Sequence, residues 1–330
     1  MTRWRVTALA LTVLLIGAVV AGQAQTPTKV TVFEAWLIHN ESMGVPVAIE
    51  RGVFKSIAVA VVAGGPGLSA IDRVVAAAAK GGIAFGVDSP YNVLDARERR
   101  KLPLVVVAHD FQQSAVRLIS WTKLASLRDV KGTIAIWKGY EPQVQAALGR
   151  DWAHRATIVD QQGEPATLGA WLRREYQFAH AMTYNELIVL RHTVKAPYYA
   201  YDYSDFGIRW PENAVFTTED TVKHHPGVVQ EFVTGRYRGF AHALSHRDEA
   251  MMTLIKYNPG LAGAERHERE GMSAIRLSMV TPAARKNGLG TIDPAAWELV
   301  ARDLTEAGLY TTAPDHAAAY TTKFPSGVRP

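Results

Sequence analysis

Four short stretches of this 330-residue chain hold the residue types that could do chemistry. Residues 36–40 read WLIHN and set the indole of Trp36 beside the imidazole of His39 and the amide of Asn40. Residues 63–69 read AGGPGLS, where Gly64, Gly65 and Gly67 let backbone N–H groups approach an anion or the polar edge of a ring. Residues 136–142, IWKGYEP, carry Trp137, Gly139 and Glu141, and residues 180–190, HAMTYNELIVL, carry Tyr184, Asn185 and Glu186. Indoles and phenols stack on planar rings, and an amide beside a carboxylate can meet a donor and an acceptor on a ring edge. The indole faces of Trp36 and Trp137 suit a planar heteroaromatic ligand.

Each stretch also has a purely structural reading. Gly-Gly-Pro-Gly makes a tight turn, and it matches neither the P-loop nor the dinucleotide fingerprint. The tryptophans can be core residues, and Thr183 three places before Glu186 is a capping box that would satisfy the first N–H groups of a helix. Catalytic sets are thin. His242 and His246 have a metal-ligand spacing, but HALSH lacks the glutamate of the zinc-protease motif. Ser69 in GLSAI lacks the second glycine of a nucleophile elbow. Nothing assembles a nucleophile with its base, so no enzyme is expected, and neither a cofactor nor a metal.

Residues of this kind must be held by strand ends, because in open parallel sheets ligands lie at the carboxyl ends of the strands. The pattern predicts strands at Val30–Leu37, Ile57–Val62, Ile83–Val87, Leu104–Ala108, Val116–Ser120, Thr133–Ile136, Thr157–Val159 and Phe178–Met182. Helices are expected at Pro46–Phe54, Ser69–Lys80, Pro90–Arg100, Pro142–Leu148, Ala166–Arg173 and Tyr184–Val194. Ser89 is the N-cap ahead of Pro90 and joins the candidate ligand residues. From Pro226 to the C-terminus the chain reads as helical, with Val229, Phe232, Val233, Tyr237, Phe240 and Leu244 on one packing face. The reading is α/β: two parallel-sheet domains joined by two crossover linkers, near Asp110–Ala115 and Pro197–Gly207, with the ligand in the cleft. Residues 25–110 and 208–330 would form one lobe and 111–207 the other.

Composition fits a globular chain, 48% hydrophobic and 20% charged. Arg3 and Arg5 precede an apolar run from Val6 to Val20, followed by Gly22-Gln23-Ala24, so residues 1–24 read as a cleaved signal peptide. Removing the two arginines lowers the formal charge from +5 to +3, and the remaining basic residues are scattered, which argues against nucleic-acid binding. With no cysteine there is neither a lipid-anchor site nor a disulfide, and the exported product is expected free in the periplasm as a monomer.

The stretches GVPVAIERGVFKSIAVAVVAGGPG, KLPLVVVAHDFQQSAVRLIS, DVKGTIAIWKGYEPQVQAAL and AHAMTYNELIVL resemble periplasmic substrate-binding proteins of ABC importers. They are most similar to the branch of thiamine-pyrimidine-precursor binders and eukaryotic pyrimidine synthases, and GRYRGFAHALSHRDEAMMTLI and GLGTIDPAAWELV extend the likeness over nearly all of residues 30–320. The resemblance implies the two-lobed type II periplasmic binding protein fold, with an ABC permease in the inner membrane as partner. It implies ring stacking by Trp36 and Trp137, a glycine turn at Gly64 to Gly67, and recognition of ring amino groups by Tyr184, Asn185 and Glu186. A thiamine-related pyrimidine is the implied ligand, with riboflavin, or a sulfonate or nitrate as in neighbouring branches, as alternatives. The chain departs from its relatives at Val45-Pro46 and at Tyr176 to Ala179. The eukaryotic synthases depend on a cysteine-rich segment that is absent here.

Overall fold

Short β-branched runs separated by glycine, proline and capping residues form the strands of two sheets. The computed structural model describes residues 26–161 and 168–330. The signal-peptide stretch 1–24, and the first two residues of the helix expected over Ala166–Arg173, lie outside the described residues.

The first lobe begins β1 (Thr28–Phe33), α1 (Gly44–Glu50), β2 (Ile57–Val62), α2 (Ala70–Ala78), β3 (Ile83–Asp88), α3 (Pro90–Arg100) and β4 (Leu104–Phe111). Local chemistry sets these boundaries. The Ser69 hydroxyl accepts the Asp72 N–H at 3.1 Å to open α2, and Pro90 opens α3, which stops at Lys101 in the left-handed region. The second lobe holds β5 (Val116–Ser120), β6 (Gly132–Ile136), α4 (Glu141–Leu148), β7 (Ala156–Asp160), α5 (Gly169–Leu172), β8 (Phe178–Met182), α6 (Glu186–Thr193) and β9 (Tyr199–Asp202). The chain then returns through β10 (Glu212–Thr218) and six helices: α7 (Glu219–His224), α8 (Pro226–Ser245), α9 (Arg247–Tyr257), α10 (Glu265–Met279), α11 (Pro282–Asn287) and α12 (Pro294–Glu306).

The sheet orders are β2-β1-β3-β10-β4 and β7-β6-β8-β5-β9. Both sheets are mixed, not wholly parallel as the pattern suggests. Strand β5 runs antiparallel to β8 and β9, and β10 antiparallel to β3 and β4. Each of β5 and β10 is the first strand after a crossing. It enters its sheet from the cleft side and must run away from the cleft, while most of its neighbours end there. Two further expectations are corrected. The stretch expected to be an irregular linker contains β9, and the helical region ends at Glu306. Past α12, Tyr320 bridges Val106 and the Thr321 N–H donates to the Val106 carbonyl at 2.9 Å, covering the outer edge of β4.

The core of the first lobe is closed by α8, whose Phe232 stacks on Phe85 of β3 with centroids 3.9 Å apart. On the same helix Arg236 is fully buried and forks between Glu34 at the end of β1 and Asp110 of β4, at 2.7 and 2.6 Å. Charges taken this far from water persist only when paired in such geometry. The trio therefore ties the ends of two strands to one helix.

Candidate functional site

The ends of β1, β2, β3, β6 and β8 converge on one cavity of about 720 Å³ between the sheets. From the first lobe, Trp36, His39, Gly65, Gly67 and Ser89 line it. From the second, Trp137, Gly139, Tyr184, Asn185 and Glu186 line it. Residues separated by up to 150 positions in the sequence reading thus share one wall.

Three candidate residues do not line this cavity. Asn40 is fully buried behind it, with its backbone N–H donating to Glu268 at 3.1 Å and its amide to the Tyr184 carbonyl at 3.4 Å. The Gly64 N–H donates to the Trp36 carbonyl at 2.8 Å, clipping two corners together. A Cβ on Gly64 would come within 2.3 Å of the Glu34 carbonyl oxygen, so glycine is required there for close backbone approach. Glu141 accepts the Gly139 N–H at 2.6 Å and braces the turn behind Trp137.

The capping box expected at Thr183–Glu186 does not form. The helix starts only at Glu186, with Asn185 as N-cap, so the glutamate stands at its first position and not its third. Its carboxylate reaches back to the Met182 N–H and takes the Asn185 amide, both at 2.8 Å, while the Thr183 hydroxyl is buried without a partner. Burial pushes the Glu186 carboxyl up to about 7, against the lowering effect of the Met182 N–H.

Sequence reasoning passed over several residues of the wall. Glu41, immediately after WLIHN, is 9% exposed and faces the cavity. It receives His39 Nε2 at 3.2 Å, the Tyr184 hydroxyl, and the Asn213 amide at 3.4 Å. Burial opposes charge on both His39 and Glu41, but their mutual attraction overrides it: the imidazole rises to about 9 and the carboxyl is held below its usual range. Asp88, at the end of β3, accepts the Ser89 N–H at 2.8 Å and the Asn92 amide at 2.7 Å, and burial pushes its carboxyl up. The strand-end rule that marks the other corners also marks this one. Asn213 comes from the stretch read as irregular and has a left-handed backbone, φ 52°.

Trp137 and Tyr140 meet edge to face at 6.2 Å, leaving an indole surface on the cavity. The wall therefore combines two partly buried indoles with five carboxylates, Glu41, Asp72, Asp88, Asp95 and Glu186. Its cations are largely committed, His39 to Glu41 and Arg100 to Asp72 at 2.5 Å, while Lys138 is exposed. Such a wall receives hydrogen-bond donors on a planar ring better than it receives an anion. Among the described residues no group of His, Asp and Glu is arranged to hold a metal.

Comparison with known proteins places this geometry. The alkanesulfonate-binding protein SsuA from Xanthomonas axonopodis pv. citri, in a structure bound to MOPS, is similar over 90% of this chain and 99% of its own, at TM-score 0.64 and 13% identity. The periplasmic aliphatic sulphonate-binding protein SsuA from Escherichia coli is similar over 89% and 92%, at 0.59 and 13%. The desulfurization enzyme DSZB is similar over 89% and 97%, at 0.54 and 12%. No curated protein sequence matches the chain significantly. The likenesses establish the two-lobed type II periplasmic binding protein fold, and with the family model NMT1/THI5 like matching residues 39–250, the chain belongs to that family.

Proposed function

We propose that this chain is the extracytoplasmic solute-binding protein of an ABC importer, and that it holds a small nitrogen heterocycle, a thiamine-related pyrimidine, in the cavity between its lobes. The observation that carries this reading is the meeting of Trp36 and Trp137, from opposite sheets, on a cavity that also carries Asn185 and Glu186. Two indoles suit the faces of a planar ring, and an amide with a carboxylate suits an exocyclic amino group beside a ring nitrogen. The lobes in this reading are residues 25–110 with 208–330, and 111–207. The protein works as a monomer in the periplasm after loss of residues 1–24, and hands its ligand to an inner-membrane permease.

A sulfonate is the second reading, supported by what the two SsuA proteins are named for and by the Gly65–Gly67 turn ahead of α2 on the same cavity. Against it stands a wall that carries five carboxylates. An enzyme comparable to DSZB would need a nucleophile or base set, and the chain has no cysteine.

Tryptophan fluorescence and melting temperature, followed across thiamine-related aminopyrimidines, riboflavin, taurine and nitrate, test the reading. An aminopyrimidine is expected to quench fluorescence and raise the melting temperature. Trp137→Ala is expected to weaken that binding roughly tenfold, the order of one stacking contact. Response to taurine or nitrate alone would overturn it.

A further inference from the structure

Two neighbouring residues near the start of α10 hold opposite lobes. The helix packs on α8, α9 and β4 of the first lobe and reaches across to α6 of the second. Glu268 is buried and accepts the Asn40 N–H at 3.1 Å, behind the first-lobe side of the cavity. His267, one residue earlier and half-buried, sets its Nε2 2.9 Å from the Asn185 Oδ1. One turn on, Gly271 fits against both lobes: a Cβ there would stand 2.1 Å from the Asn40 amide nitrogen and 2.6 Å from the Tyr184 carbonyl oxygen. Asn185 lines the cavity, whereas His267 does not.

The sense of the hydrogen bonds follows from the carboxylate. Glu186 Oε2 takes the Met182 N–H, and its Oε1 lies 2.8 Å from the Asn185 Nδ2. An ionised carboxylate only accepts, so the amide turns its NH2 end to Glu186 and its oxygen to His267, which donates from Nε2–H. With the oxygen taken, what Asn185 has left for a ligand is its second N–H, beside the accepting carboxylate of Glu186. The partner that fixes this amide comes from the other lobe. Separation of the lobes takes that partner away, and the amide is then held by Glu186 alone.

We infer that His267 is a positioning residue: acting from the first lobe, it orients the Asn185 amide and so completes the second-lobe face of the cavity only when the lobes are closed. This rests on the reading of the cavity as the ligand site, and adds to it a residue outside the wall that governs release. A contact made only in the closed form does not help a ligand enter the open cleft. Its loss therefore raises the dissociation rate and leaves the association rate. The other pair between the same helices, His192 Nε2 and Glu270 at 2.9 Å, has side chains 49% and 33% exposed, and an exposed pair of this kind contributes little. It serves as the control.

Stopped-flow tryptophan fluorescence on the full chain, with 4-amino-5-hydroxymethyl-2-methylpyrimidine as probe, separates the two rates. His267→Leu is expected to raise the dissociation rate about fivefold, the order of one hydrogen bond, and to change the association rate less than about twofold. His267→Gln, whose amide places a donor at similar reach, is expected to return dissociation to within about twofold of the wild type. His192→Ala is expected to leave both rates nearly unchanged. In the double variant His267→Leu with Asn185→Leu, dissociation is expected to match that of Asn185→Leu alone, since both substitutions remove the same hydrogen bond. Unchanged dissociation in His267→Leu, an equal effect of His192→Ala, or no recovery in His267→Gln overturns the assignment while the heterocycle reading stands. If the pyrimidine does not bind and taurine does, the heterocycle reading falls, and the same rates measured with taurine decide the part of His267 by the same criteria. If neither binds, the cavity reading and the assignment fall together. Should His267→Leu fail to fold, His267→Gln is compared with His267→Asn, whose amide is drawn back by one methylene. Faster dissociation in His267→Asn is then expected, and equal rates in the two overturn the assignment.

Discussion

His39 carries its proton at neutral pH because Glu41 lies 3.2 Å from its Nε2, with Glu268 adding to the field, and these attractions exceed the cost of burying the charge. The consequence for stability has a definite sign. The folded imidazole titrates at about 9 and the unfolded one near 6.5, so the folded state holds an extra proton between those values. The stabilisation is therefore complete below pH 6.5 and is lost as pH rises through 9. Glu186, raised to about 7 by burial, acts in the same sense below pH 7, whereas His109 and His180, driven down to about 3 in the folded state, take up protons near 6.5 only on unfolding and oppose the fall at the acid end of this window. Urea unfolding at a series of pH values between 7.5 and 9, above the range in which the other buried histidines charge on unfolding, should show stability falling by up to about 1.4 kcal/mol per pH unit. The fall should be nearly absent in His39→Gln. An unchanged slope in that variant would mean that another group carries the titration.

Packing between elements makes a different demand. Helices α1 and α8 cross so closely that a Cβ on Gly239 would stand 1.8 Å from the Gly44 carbonyl oxygen, and one on Gly44 would stand 2.4 Å from the Phe240 ring. Gly239→Ala has no way to fit without moving one helix, and overpacking of this kind costs roughly 1–3 kcal/mol. A lowered midpoint in chemical denaturation, with ligand affinity retained once folded, is the expected result. Neither glycine could be singled out from the sequence, because helical periodicity shows which face is buried but not how near the next backbone comes. The strands that follow local rules were legible: Ile57–Val62, Val116–Ser120 and Phe178–Met182 are apolar runs with clear boundaries, and they occur as read. Strands β9 and β10 were not, since YAYD is polar and aromatic and β10 begins at Glu212-Asn213, residues that favour turns. Their place is decided by pairing with β5, β3 and β4, which are far away in sequence. The site divides in the same way. Corners such as Trp36, Trp137 and Glu186 announce themselves as polar or aromatic residues at strand ends, whereas Glu41 gains its importance from Tyr184 and Asn213, 143 and 172 positions away.

At the scale of the whole molecule the question is what keeps two lobes in register through two short crossings. Glu212 stands at the start of β10, where the chain re-enters the first lobe, and its carboxylate is 2% exposed. One oxygen accepts the Ala115 N–H at 2.7 Å and the Ser114 hydroxyl at 3.0 Å, both in the other crossing, and the second accepts the Tyr140 hydroxyl from the turn that leads into α4. A single side chain thereby fastens both crossings to each other and to the cavity wall of the second lobe. Replacing it by glutamine keeps the size but turns one accepting oxygen into an NH2 donor, so at least one of the three hydrogen bonds loses its acceptor. Glu212 takes no part in the ladders of the strands on either side of the cavity, so Glu212→Gln should leave hydrogen exchange in β1 to β3 and β6 to β8 unchanged. The relative placement of the lobes should loosen, giving a larger radius of gyration in small-angle scattering of the ligand-free protein. Because less of the population is then ready to close, apparent affinity for the best heterocyclic ligand should drop about tenfold, with the ligand-bound radius close to that of the wild type. An unaltered radius together with a lower melting temperature would mean that Glu212 serves the stability of one lobe and not the joint between the two.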